Sequence, residues 1–306
     1  MKKLSRLSSK FSHLTAHISL LTIFFLLLTV FHLSAQMPEM HFNIPYGNNA
    51  QAGKYAEVNG IKMYYEEYGT GAPMILIHGN GGSILDMGYQ IDYFSKHYHV
   101  IAADSRAHGK SEAGNGRLTY EQMADDWAAL LTTLHVDSAY VLGWSDGGIL
   151  GLLLAIRHPE KVRKLAAMGA NLQPDSTAVY DWAIRWVDKQ NKHVDGMIAK
   201  KDTSQPWAVY KKYLDLLANQ PHIPLSDLKK ISAPTLVMCG DKDIITLEHT
   251  DKIFENIPHA QLCIFPGATH MIPVQNPQLF NAMVAKFFFE PFARPEMRPI
   301  LENFQY

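Results

Sequence analysis

Cysteine is scarce. Cys239 and Cys263 are the only two among 306 residues, which excludes a disulfide-stapled scaffold, and a chain of this length has core enough without bridges. Each sits in a short apolar run where a small thiol packs well, so two free core cysteines and a single bridge are both open readings. Charge of one sign is lacking too: 28 Lys and Arg against 29 Asp and Glu leave a net charge of -1. That excludes the broad basic field of a nucleic-acid binder. Fifteen histidines bring neither an HExxH motif nor paired CxxC motifs. His97 and His99 alone could share a strand face, so no metal centre and no cofactor are expected. With 47% hydrophobic residues, disorder is excluded as well.

No apolar run reaches the roughly 20 residues of a membrane span. The longest, residues 18–33, contains Thr22, Thr29 and His32. It follows Lys2, Lys3, Arg6 and Lys10 and ends at Leu33-Ser34-Ala35. This order reads as a signal peptide, residues 1–35, cleaved after Ala35, and implies an exported protein, periplasmic or secreted. An uncleaved membrane anchor is the alternative. Removing the four cations leaves a mildly acidic domain with no membrane attachment.

Beyond the leader, alternating segments flank Asn59-Gly60, a strong hairpin signal. Short apolar runs then recur at 74–78, 99–103, 139–143, 162–168, 235–239 and 261–265, separated by helical spacing at 120–134, 148–158 and 277–289. Continuous apolar strands alternating with helices predict an α/β, mostly parallel, doubly wound sheet with an N-terminal antiparallel hairpin. The core is assigned to 36–170 and 229–289. Residues 171–228 offer no strand but two helical stretches, 178–200 and 207–218, and are expected to form a small helical lid over the sheet's carboxyl edge. Residues 290–306, with three prolines, read as a surface tail.

The chemistry begins at Gly143-Trp144-Ser145-Asp146-Gly147, a G-x-S-x-G pattern that directly follows one apolar run and precedes a helical one. That is the strand-turn-helix setting in which a tight turn holds up a nucleophilic serine. A serine alcohol needs a base, and the base needs a carboxylate. In chain order, Gly240-Asp241-Lys242-Asp243 and Gly267-Ala268-Thr269-His270 follow the next strands at the same sheet edge. Backbone NH groups of Asn80, after the strand ending in His78-Gly79, and of Asp146 are the expected oxyanion donors. Two phosphate-binding look-alikes fail. Gly79-Asn80-Gly81 has Ile84 where a dinucleotide fingerprint needs a third glycine, and His108-Gly109-Lys110-Ser111 has Asp104 where a P-loop needs its first.

LIHGNGG, DSRAHGKS, GWSDGG, GDKD and GATH, in this order, resemble the α/β-hydrolase superfamily over roughly residues 53–289. The resemblance implies Ser145 as nucleophile, Asp243 as acid and His270 as base. It makes the segment from Asp104 to Gly109 a structural turn, with Ala107 in place of the usual glycine. GWSDGG followed by Gly169-Ala170-Asn171 is similar to the valacyclovir hydrolase-like esterases, which implies cleavage of a small-molecule carboxylic ester. Peptidases of the proline iminopeptidase type, thioesterases, carbon-carbon bond hydrolases and cofactor-free perhydrolases share the same three residues. A non-catalytic binding module on this fold is the reading from another class. Asp146 either faces an α-ammonium group of the substrate or caps the helix starting at Gly147. Trp144 and Trp182 are further candidate substrate contacts.

Overall fold

The computed structural model describes residues 40–304. The expected leader and the last two residues of the tail lie outside them. The hairpin forms as β1 (Gly53–Val58) and β2 (Ile61–Tyr68), with Val58 opposite Ile61. Asn59 and Gly60 between them take φ of 44° and 77°, the two left-handed residues that a tight hairpin turn requires.

The remaining strands are β3 (Ala72–Ile77), β4 (Tyr98–Ala103), β5 (Ala139–Trp144), β6 (Val162–Met168), β7 (Thr235–Lys242) and β8 (Ala260–Thr269). They interleave with α1 (Gly88–Phe94), α2 (Tyr120–Thr133), α3 (Asp146–Arg157), α4 (Asp181–Ala199), α5 (Trp207–Asn219), α6 (Leu225–Leu228), α7 (Leu247–Asn256), α8 (Ile272–Gln275) and α9 (Pro277–Phe289). A final helix, α10 (Met297–Glu302), lies in the tail.

All eight strands join one sheet in the order β1-β2-β4-β3-β5-β6-β7-β8. β2 runs antiparallel to both its neighbours, and every other pairing is parallel. Ile75, Ile77, Val141 and Leu165 are buried in the central strands beneath Trp127 of α2 and Leu150 of α3. Helices on both faces explain why these strands read as unbroken apolar runs rather than alternating ones.

Two strands outrun their apolar segments: β7 continues to Lys242 and β8 to Thr269, paired through Lys242 and Thr269 after a bulge. Backbone pairing carries them on where side-chain hydrophobicity has stopped. Between β6 and β7 lie α4, α5 and α6, with the single bridge Val179–Ile245 as the segment's only pairing among the described residues. Lys211 of α5 binds Asn191 and Asp195 of α4, tying the two helices together. The start of the tail is pinned by Lys164 Nζ, which donates to the Glu290 carbonyl, and by Gln261 Nε2, which donates to that of Ala293.

Both cysteines are free. Cys263 pairs in register with Met238, so Cys239 faces the other side of the sheet and no bridge can close.

Candidate active site

Ser145 is the single residue between β5 and α3, at φ 59° and ψ -119°. A side chain in that region is strained, and the neighbourhood holds it there. Its NH donates to the Met168 carbonyl at 2.8 Å, and its own carbonyl accepts from Gly148 at 2.8 Å and Ile149 at 3.1 Å. The glycines of the motif are dictated by crowding. A Cβ on Gly143 would lie 1.9 Å from the Gly147 carbonyl oxygen, and one on Gly147 would lie 2.0 Å from that of Ile77.

His270 follows β8 and reaches this turn, its Nε2 2.9 Å from Ser145 Oγ. Its Nδ1 lies 2.7 Å from Asp243 Oδ1. Asp243 is buried. Burial alone would raise its pKa, but the imidazole of His270 and the NH groups of Ile245 and Gly240 outweigh it and hold the carboxyl below its ordinary value. A hydroxyl, an imidazole and a buried carboxylate in one hydrogen-bonded line can pass a proton from the first to the second while the third stabilises the cation.

The line opens into a cavity of about 490 Å³. Ser145, Asp146 and His270 line it, together with the apolar side chains of Trp182 and Trp186 on α4, Leu217 on α5 and Ile245 after β7.

A model of the α/β hydrolase fold matches residues 72–205. The human serine hydrolase BPHL is 25% identical over 83% of this chain and 94% of its own length. The 3-oxoadipate enol-lactonase 2 of Acinetobacter baylyi is 30% identical over 73% of this chain and 92% of its own. Among solved structures, Est816, described as an N-acyl homoserine lactone degrading enzyme, superposes with a TM-score of 0.62. It is 25% identical, over 76% of this chain and all of its own. The chain belongs to the α/β-hydrolase family.

In this hydrolase the two aspartates of the β7 turn part company. Asp241 Oδ2 accepts from the NH of Gly267 at 2.9 Å, on the neighbouring strand, and only Asp243 meets the imidazole. Trp144 departs from its expected role as a substrate contact: it is buried, is absent from the cavity wall, and donates its indole NH to the His270 carbonyl at 2.8 Å. β-strand alternation turns it away from the cavity even though it adjoins Ser145 in sequence. Trp182 does line the cavity.

Asp146 is the first residue of α3, and its side chain lies against the cavity rather than capping the helix. Oδ2 accepts from Asn80 Nδ2 at 2.9 Å and Oδ1 from the Tyr120 hydroxyl at 2.8 Å. Burial pushes its pKa up to about 6, against those two hydrogen bonds. Tyr120 is a part of the site that sequence reasoning missed. It reads as a core aromatic at the start of a helix, and nothing local distinguishes it.

The turn from Asp104 to Gly109 supports the loop that carries Asn80. Asp104 accepts from the NH groups of Ile84 and Lys110, and Ser105 N donates to His78 Nε2 at 3.0 Å. Arg106 grips the buried Asp126 with two nitrogens. Ala107, where the family uses glycine, sits at φ 67°.

Proposed function

We propose that this hydrolase cleaves carboxylic esters of small molecules through an acyl-enzyme on Ser145. The observation that carries the reading is the line from Ser145 Oγ through His270 to the buried Asp243, open to an apolar cavity. His270 Nε2 takes the serine proton as Oγ attacks the acyl carbonyl. Asp243 accepts from Nδ1–H, fixing the tautomer and stabilising the imidazolium. The NH groups of Asn80 and Asp146 receive the oxyanion. The tetrahedral adduct collapses, the protonated leaving alcohol departs, and water activated by His270 releases the acid. Every step is carried by residues of the chain. Two of the matched proteins are named for lactone cleavage, and lactones are cyclic esters, which supports an ester over an amide.

A fluorophosphonate probe is expected to label the wild type at Ser145 and to leave Ser145→Ala unlabelled. On p-nitrophenyl esters of graded chain length, Ser145→Ala or His270→Ala should lower kcat by about 10⁴ to 10⁶, with the double variant little worse, since the residues act as one unit. Labelling that survives Ser145→Ala, or a wild type that never labels, overturns the assignment. We further propose that the chain is exported and cleaved after Ala35. N-terminal sequencing of the mature protein should then begin at Gln36.

A further inference from the structure

The two residues whose NH groups face the oxyanion in the reading above come from separate parts of the chain. Asn80 follows β3, and Asp146 begins α3. An oxyanion hole works only if its donors are already spaced for the developing charge. The pairing of β3 with β5 ends at Ile77 and Gly143, three residues short of each donor, and beyond it the two side chains meet. Asn80 Nδ2 donates to Asp146 Oδ2 at 2.9 Å.

Each end of this contact is secured again. Asp146 Oδ1 accepts from the Tyr120 hydroxyl at 2.8 Å, and Tyr120 is wholly buried. The Asn80 amide also donates to the backbone carbonyl of Tyr213 on α5, at 3.3 Å. Tyr213 is itself stacked on the buried His108, with ring centres 4.2 Å apart, and its hydroxyl donates to the Ala107 carbonyl. Thus both carboxylate oxygens are already donated to by the protein.

We propose that the Asn80–Asp146 side-chain bond is the brace that sets the separation of the two oxyanion NH donors, with Tyr120 and α5 holding the brace in place. The proposal rests on the serine-hydrolase reading. Asn80, Asp146 and Tyr120 act in it as positioning side chains. Asp146 therefore serves geometry first, and its charge is spent on Asn80 and Tyr120 rather than on the substrate.

Asn80→Ala and Asp146→Ala both retain the backbone NH groups, so their kinetics on a neutral p-nitrophenyl ester read what the side chains add, and Asn80→Ala does so without removing a charge. Each should lower kcat about 10- to 100-fold, the scale of a misplaced donor. KM should stay within about twofold, and affinity for a trifluoromethyl ketone, which mimics the tetrahedral adduct, should fall by the factor lost in kcat/KM. The double variant should be no worse than the worse single one, because the same bond is lost. Asp146→Asn, whose amide can still bridge Asn80 and Tyr120, should recover most of the Asp146→Ala loss. Tyr120→Phe, which removes only a hydroxyl, should give a smaller loss of the same kind, keeping the test informative if an alanine variant fails to fold.

Losses that multiply in the double variant, or that fall on KM, overturn the brace. Losses confined to aminoacyl esters with neutral esters spared also overturn it, since Asp146 would then be reading a substrate ammonium group. Fluorophosphonate labelling of the wild type separates these outcomes from failure of the Ser145 assignment.

Discussion

Asp241 and Asp243 stand two residues apart at the end of β7, and each is held by a different partner. The carboxylate of Asp241 is occupied with the NH of Gly267, whereas Asp243 takes the imidazole of His270 and the NH groups of Ile245 and Gly240. Asp243→Asn is expected to cost about 10³-fold or more in kcat/KM, because an amide offers the imidazole no negative partner and favours the wrong tautomer. Asp241→Asn should cost far less, since its oxygen can still accept from Gly267. Steady-state kinetics of the pair on one p-nitrophenyl ester decides it, and the reverse order would move the acid by two residues. The two were nearly indistinguishable in sequence, where only resemblance chose between them. Trp144 shows the same limit: proximity to Ser145 in the chain suggested a substrate contact, but the side chain serves the backbone of His270.

Among the elements, α4 has the clearest consequence for substrate choice. Trp182 and Trp186 are one helical turn apart and therefore share a face. Both line the cavity while each remains more than half exposed. They thus frame its mouth, where a bulky acyl or leaving group would cover them. Losing roughly half of an indole's contact area removes about 1 to 2 kcal/mol of apolar binding. Trp182→Ala should accordingly raise KM about tenfold for naphthyl or long-chain esters and leave acetate esters within about twofold. Equal shifts for both substrates would place the tryptophan outside the binding path. The helical spacing of α4 and α5 was legible in the sequence. The extra residues of β7 and β8 were not, because a strand's end depends on the partner it pairs with.

For the whole molecule, buried ionisable groups set opposing pH dependences. His78, His108 and His249 are pushed down by burial to about 4, about 3 and about 4. Below the ordinary histidine value of about 6.5, the unfolded chain takes up protons that the folded chain refuses, so these three cost stability as pH falls. Asp104 and Asp146, both pushed up by burial to about 6, work the other way. Below that pH the folded chain takes up their protons first, and they return stability as pH falls. Asp86 is pushed up by burial as well, so the two sets nearly offset one another and the wild type should lose stability only shallowly between about pH 6 and 4. Asp146→Asn removes one compensating group and should steepen the fall by up to about 1.4 kcal/mol per pH unit. Urea unfolding at pH 4.5, 6 and 7.5 checks it, and parallel curves for the two proteins would refute the account.

Local sequence by itself determined the strand and helix alternation, the Asn59-Gly60 hairpin and the turn that presents Ser145. Each depends on backbone preferences and hydrophobic period within a few neighbouring residues. The order of Ser145, the Asp241–Asp243 turn and His270 along the chain was also legible, because each closes or follows a recognisable strand. Only the tertiary structure decided which side chains meet. Asn80 and Asp146 lie 66 residues apart, and Trp144 and His270 lie 126 apart. Such contacts depend on how the sheet brings distant turns to one edge and on which way each side chain leaves its own turn. No local pattern encodes that, so the contact among Asn80, Asp146, Tyr120 and the α5 carbonyl of Tyr213 exists only once the sheet, α2 and α5 have packed.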